Sequence, residues 1–353
     1  MMAKIRVLVV DDSALLRKII SDILNRDPAI TVVGTAANGL LAVARARELN
    51  PDVITMDVDM PVMDGYTALK QIMAETPRPV IMLSGLTQAG AQLTFKCLEA
   101  GAVDYLPKPV VKGPHGLEEM AAEITARVKV IHEQGTRRRA VPRPRMPPAG
   151  MPVSAGMDRL ASGTLAERVV AIGISTGGPA ALAEIFPAFP AQFPPVLVVQ
   201  HMPKEFTGPF AERLNRGSRL TVKEAADGDL LQPGYAYIAP GDRHLTVVRI
   251  GATVRVQLKQ TDKVDGHRPS ATVMFKSLAP VYGRRAVGVI MTGMGRDGVD
   301  GLKELRAQGA PVVGQDQESC VVYGMPGIAA REGVVNHVVP LTGIVPKIAS
   351  LLQ

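Results

Sequence analysis

Between residues 5 and 106, short apolar-rich runs alternate with longer stretches in which apolar side chains recur every three or four positions. The runs at 5–10, 31–34, 53–56, 80–83 and 103–106 are rich in Val, Ile and Leu, the pattern of strands covered on both faces. After the first of them, Leu15, Leu16, Ile19, Ile20, Ile23 and Leu24 mark one face of a helix. Five such repeats predict a small doubly wound parallel sheet, whose functional edge lies at the carboxyl ends of its strands. The alternation resumes after residue 166. An apolar run at 169–172 feeds the turn Gly173-Ile174-Ser175-Thr176-Gly177-Gly178, and Pro179 stands where a helix takes its first residue. Runs at 195–200 and 286–292 read as buried strands, 235–239 as a short strand, and 244–250 with 253–258 as a hairpin turned at Gly251. One helix is predicted from about Ala271; another, through Leu302, Leu305 and Arg306, is stopped by Gly309.

These elements predict an α/β chain of two doubly wound parallel-sheet domains, at 1–132 and 166–353, the first flavodoxin-like and the second Rossmann-like with a β-hairpin insertion. A length of 353 residues leaves room for a core in each. The segment between them, 133–165, carries Pro142, Pro144, Pro147, Pro148 and Pro152 with four glycines, and is expected to be an extended linker with no regular helix. It also holds six arginines against Glu133 and Asp158, so more than half of the net charge of +7 sits in one solvated stretch. With no Trp and 4% aromatic residues, a base-stacking surface for nucleic acid is not expected. No apolar run approaches the ~20 residues of a membrane helix. Lys4, Arg6, Asp11 and Asp12 stand where a signal peptide has its apolar stretch, so the cytoplasm is the expected compartment. Cys97 and Cys320 are too few and too far apart for a disulfide framework or a metal motif, and read as buried thiols.

In the first domain, polar residues fall at the strand ends. Asp11 and Asp12 end the first strand, Asp57 the third and Ser84 the fourth, while Lys108 follows the fifth. Three carboxylates on one spot repel one another, so a positive charge must hold them there, and oxygen ligands of this kind suit Mg²⁺. The motifs V-L-V-V-D-D-S, M-D-V-D-M-P-V-M-D-G, M-L-S-G and P-K-P, over roughly residues 4–132, resemble the receiver domain of bacterial response regulators. The resemblance implies that Asp57 accepts a phosphoryl group. It further implies that Asp11, Asp12 and the backbone carbonyl of Asp59 join Asp57 around Mg²⁺, that Ser84 and Lys108 contact the phosphoryl oxygens, and that Tyr105 is an aromatic switch residue.

In the second domain, Gly173-Ile174-Ser175-Thr176-Gly177 fits G-x-S-x-G, in which a strained turn pushes a hydroxyl out at the end of a strand. Ser175 is a candidate nucleophile, with the amides of Thr176, Gly177 and Gly178 free at a helix start. The same turn also suits close packing of a helix on a sheet, or a phosphate cradle. His201 follows the next strand, and Asp297 lies in the glycine-rich loop after the strand at 286–292. Three loops of a doubly wound sheet open on one edge, the placement a Ser-His-Asp triad needs. His244 and His267 are second candidates for the base. The chain order disfavours the common α/β-hydrolases, which run Ser, acid, His, and a serine where a glycine is required disfavours a dinucleotide site.

G-I-S-T-G-G-P, V-V-Q-H-M-P, Y-I-A-P-G-D-R-H-L, H-R-P-S and M-T-G-M-G-R-D-G occur in order, and together with the receiver motifs resemble the chemotaxis response regulator protein-glutamate methylesterases, which also act as receptor glutamine deamidases. The resemblance implies a phosphorylation-controlled serine hydrolase with Ser175, His201 and Asp297 as triad, the amides of Thr176 and Met294 at the oxyanion, and no cofactor at that site. It implies chemoreceptor cytoplasmic helices as substrate and a chemotaxis histidine kinase as phosphodonor. The sequence departs from the family at Ala271-Thr272, where the second position is usually acidic. The alternative is a receiver whose output domain binds a partner or nucleotide through residues 173–178 without catalysis.

Overall fold

Unbroken apolar strands must be covered on both faces, and those of the first unit achieve this in a parallel sheet flanked by helices. The structure is a computed structural model that describes residues 3–108, 114–139 and 165–353. The chain divides into two compact units, Met1–Arg145 and Met146–Gln353. In the first, β1 (Ile5–Val10), β2 (Ile30–Ala36), β3 (Val53–Asp57), β4 (Val80–Ser84) and β5 (Asp104–Pro107) pair in the order β2-β1-β3-β4-β5. Helices α1 (Ala14–Asn25), α2 (Gly39–Leu49), α3 (Gly65–Glu75) and α4 (Gln88–Glu99) make the crossovers, and α5 (Pro114–Arg139) follows the sheet. Val7, Val9, Ile20, Leu24, Ile81 and Leu106 pack with Ile124 and Val128 of α5 in one core. Ser13 caps α1 by accepting the Leu16 amide at 3.3 Å, a contribution of about 1 kcal/mol.

Two details differ from the sequence pattern. Helix α5 continues to Arg139, seven residues past the predicted domain end at 132, because no proline occurs between Pro114 at its start and Pro142. The rest of the predicted linker, up to residue 164, lies outside the described residues. In the loop before α3, Val62 sits at φ +71° and is 82% exposed, a left-handed conformation that costs a β-branched residue about 1–2 kcal/mol. Val62→Gly is therefore expected to stabilise this unit by about 1 kcal/mol, seen as a higher denaturant midpoint at unchanged slope. An unchanged or lower midpoint would show that the turn carries no such strain.

In the second unit, β6 (Val169–Ile174), β7 (Val196–Gln200), β8 (Thr221–Glu224), β9 (Tyr235–Ile238), β12 (Ala286–Ile290), β13 (Val312–Gln315) and β14 (His337–Val339) form a parallel sheet in the order β14-β13-β12-β6-β7-β9-β8. Strands β10 (His244–Ile250) and β11 (Thr253–Lys259) form a separate antiparallel hairpin. The helices used below are α6 (Gly178–Ile185), α7 (Lys204–Gly217), α8 (Ala271–Tyr282), α9 (Val299–Ala307), α10 (Met325–Arg331) and α11 (Ile344–Leu351). Leu245, Val247 and Val256 of the hairpin join Met274, Phe275 and Leu278 of α8 in the core. Strands β8, β13 and β14 span only three or four residues each, too few to show a period. From β6 the chain moves outward through β7 and later returns to place β12 on the other side of β6, creating a switch point at the carboxyl ends of β12, β6 and β7. Among the described residues no helix is long and apolar enough to cross a membrane. Cys97 and Cys320 are buried, and burial pushes the Cys97 thiol up to about 12.

Candidate active site

Ser175 directly follows β6, His201 directly follows β7, and Asp297 lies in the loop between β12 and α9. Because β12, β6 and β7 are neighbours, these three loops meet. His201 Nδ1 lies 3.1 Å from Ser175 Oγ, and His201 Nε2 lies 2.7 Å from Asp297 Oδ2. Asp297 is 1% exposed, and burial alone disfavours its charge. The bonds from His201, Ser270 and Thr272 outweigh that cost and hold the carboxyl well below the ordinary range. An ionised carboxylate only accepts, so Nε2 carries the hydrogen and Nδ1 is left bare toward the serine hydroxyl. The arrangement can take a proton from Ser175 and stabilise the imidazolium that results.

Asp297 also makes a second set of contacts, to the start of α8. Its Oδ1 accepts Ser270 Oγ at 2.6 Å and Thr272 N at 3.0 Å, and its Oδ2 also accepts Ala271 N at 2.7 Å. Asp297 thus caps the first turn of α8 together with Ser270, whose Oγ accepts the Val273 amide at 3.4 Å. Thr272, at the position that departs from the family, accepts Gly298 N at 2.7 Å and donates to Asp265 Oδ2 at 3.3 Å, so its hydroxyl holds the loop that carries Asp297.

Several expectations are corrected by the geometry. Ser175 is 5% exposed and lies outside the left-handed region; Gly177, at φ +76°, makes the turn, so the hydroxyl is not pushed outward on a strained residue. Helix α6 starts at Gly178, one residue before Pro179, and the Gly178 amide donates to Ser175 O at 2.8 Å, so it is not free. Among the described residues the amides of Thr176 and Met294 donate to no backbone carbonyl. His244 does not line the cleft as a base: it is fully buried, with Nδ1 accepting Ser270 N at 3.2 Å and Nε2 2.9 Å from Asp262 O. His267 does reach the site, its ring stacked on His201 at 3.7 Å between centroids.

At the carboxyl edge of the first sheet, Lys108 Nζ lies 2.6 Å from Asp57 Oδ2 and 3.4 Å from Asp11 Oδ2. Asp11, Asp12 and Asp57 each bring an oxygen within 4.8 Å of the others. Asp11 and Asp57 are buried and Asp12 is exposed; the buried Asp11 Oδ2 accepts no hydrogen bond among the described residues. Carboxylate oxygens with one left unsatisfied fit a hard divalent cation. The Asp59 amide donates to Asp57 Oδ1 at 3.2 Å. Ser84 and Tyr105 are buried beside this edge, on β4 and β5.

Burial raises the Asp57 pKa to about 6; Lys108 opposes the rise and Asp11 adds to it. A raised folded pKa means that the native state binds the proton more tightly, so the contribution of Asp57 to stability is fully present below about pH 4 and is lost as the pH rises through about 6. At pH 7.5 without divalent cation, Asp57→Asn is expected to stabilise this unit by roughly 2 kcal/mol. The advantage should vanish between pH 6 and 4. An equal midpoint for both proteins at pH 7.5 would contradict a strained carboxylate cluster.

Comparison with known proteins finds a family model for each of the two parts of the chain. Residues 170–348 match the CheB methylesterase family model, and residues 7–120 match the response regulator receiver domain. A Shewanella protein named protein-glutamate methylesterase/protein-glutamine glutaminase 2 is 43% identical over 349 residues, 99% of this chain and 98% of its own length. A Caulobacter vibrioides protein-glutamate methylesterase/protein-glutamine glutaminase 1 is 49% identical over 351 residues, with 99% and 98% covered. The crystal structure of the Thermotoga maritima CheB methylesterase catalytic domain aligns with a TM-score of 0.51 at 42% identity, covering 52% of this chain and 98% of that one. Two family models, each matching its own part of the chain, and relatives that align from end to end lead to one assignment: the chain belongs to the CheB methylesterase family, with a response regulator receiver domain preceding the methylesterase domain.

Proposed function

We propose that the chain is a phosphorylation-activated serine hydrolase that removes methyl groups from glutamate γ-methyl esters of chemoreceptors and deamidates specific receptor glutamines, with 1–132 as receiver and 166–353 as hydrolase. The observation that carries this is the continuous hydrogen-bonded chain from Ser175 Oγ through His201 to Asp297 at the sheet switch point. His201 Nδ1 takes the Ser175 proton as Oγ attacks the γ-carbonyl carbon. The oxyanion is held by the Thr176 and Met294 amides. Collapse breaks the ester bond and the leaving oxygen takes the proton from His201, releasing methanol; from a glutamine the leaving group is ammonia. Water, deprotonated by His201, then hydrolyses the glutamyl-serine ester and restores Ser175. The hydrolase site needs no cofactor for these steps.

Asp57 is the phosphoacceptor, with a chemotaxis histidine kinase as donor. Asp11, Asp12, Asp57 and the Asp59 carbonyl would hold Mg²⁺, which when bound neutralises the carboxylates and the phosphoryl oxygens. Lys108, already on Asp57, shifts to a phosphoryl oxygen together with Ser84, and Tyr105 responds as the switch aromatic. The enzyme works in the cytoplasm on receptor helices, without inserting in the membrane or binding nucleic acid. A methanol-release assay on methylated receptors tests the reading: a small-molecule phosphodonor with Mg²⁺ should raise the wild-type rate and leave Asp57→Asn unchanged. A fluorophosphonate should label Ser175. No labelling and no methanol, with nucleotide binding in their place, would favour the non-catalytic alternative.

A further inference from the structure

Gln200 is the last residue of β7, 2% exposed, and its carboxamide spans the two loops that carry the nucleophile and the base. Nε2 lies 3.0 Å from Ser175 O and 3.1 Å from His201 O, so both of its hydrogens are used on the carbonyls of these two residues. Reversing the amide would set Oε1 against two carbonyl oxygens, so the orientation is determined by its partners. Oε1 is buried without a hydrogen bond among the described residues and lies 1.9 Å from where a Cβ on Gly178 would fall. The absence of a side chain at Gly178 thus makes room for the amide. Besides the His201 Nδ1–Ser175 Oγ contact itself, the nearby backbone tie among the described residues is His201 N to Ile174 O, at a long 3.3 Å. Ser175 O is held from its other side by Gly178 N at 2.8 Å, which leaves this carbonyl fully bonded.

We propose that Gln200 is a positioning residue of the hydrolase, binding the Ser175 and His201 turns into one unit and thereby fixing the nucleophile-to-base distance. The inference rests on the reading of Ser175 as nucleophile and His201 as base. Misplacement of reacting groups by about an ångström costs on the order of 100-fold in rate, and Gln200 is buried with both amide hydrogens on backbone carbonyls. Gln200→Met fills nearly the same volume and donates no hydrogen bond. In the full-length protein, Gln200→Met is expected to lower kcat for methyl ester hydrolysis by about 10–100-fold with KM within about twofold of wild type. The second-order rate of Ser175 labelling by a fluorophosphonate should fall by a similar factor. Gln200→Asn retains the donor but is one methylene too short to reach both carbonyls; it should lose less, and it carries the test if Gln200→Met fails to fold. A folded variant with wild-type kcat and labelling rate, even with a lower melting temperature, would reduce Gln200 to a packing role and overturn the proposal. So would a rise in KM at unchanged kcat. Wild-type protein that neither releases methanol nor labels at Ser175 would instead refute the serine mechanism itself, a result distinct from either outcome for Gln200.

Discussion

Ser175→Ala and His201→Ala should each lower methyl ester hydrolysis by at least about four orders of magnitude, and the double variant should be no worse than either single one. The two side chains act on one proton, so losing either removes the whole nucleophilic step. Residual turnover would come from the oxyanion amides and substrate binding alone. Ser175→Ala should fold as wild type, because the packing of this turn uses the backbone: Ser175 N donates to Thr292 O at 2.9 Å, and Ser175 O accepts Gly178 N and Gln200 Nε2. Methanol release measured alongside thermal unfolding checks both parts. A folded Ser175→Ala protein with activity within tenfold of wild type would end the serine mechanism.

Asp297→Ala should be costly twice over. Loss of the carboxylate frees His201 to adopt the wrong tautomer, an effect on the order of 10⁴ in kcat. It also leaves Ser270 Oγ and the amides of Ala271 and Thr272 buried without their acceptor, which should cost roughly 2–4 kcal/mol of stability. The two losses separate by pH. The native carboxyl is held below its ordinary value of 3.8, so its stabilisation is complete above that pH and is lost as the pH falls through and below it. The stability deficit of Asp297→Ala should therefore be constant from pH 5 to 8 and narrow below about pH 4. A deficit under 0.5 kcal/mol at neutral pH would show that α8 does not depend on this cap.

Much of the candidate site is legible in the residues because its chemistry lies in short contiguous motifs. Asp57, Lys108 and the D-D pair stand at the ends of apolar runs, and the polarity change itself marks the carboxyl edge of a parallel sheet. Ser175, His201 and Asp297 are placed by the same rule. That rule ranks His201 ahead of His244 and His267 without eliminating them, since His244 opens a strand of its own. His244 is withdrawn into the core by Ser270 N and Asp262 O, contacts made across 26 and 18 residues that no local pattern encodes. Gln200 escapes sequence reading for a similar reason: an amide beside a histidine has no distinctive spacing, and its significance arises only from the two carbonyls it meets.

Alternation of apolar runs and amphipathic stretches determined that this chain makes two α/β units, because each strand and helix must hide a particular face and that demand is written residue by residue. The motifs determined which polar groups lie at strand ends. Which ends adjoin is a different matter, for hydrophobic periodicity records that a residue is buried and not what covers it. Only the tertiary structure set β12 beside β6, bringing Asp297 to a histidine 96 positions earlier and giving the same carboxylate the first turn of α8 to cap. The hydrogen bonds that make these side chains a working set act over about 3 Å, and that distance is decided by the order in which strands pair.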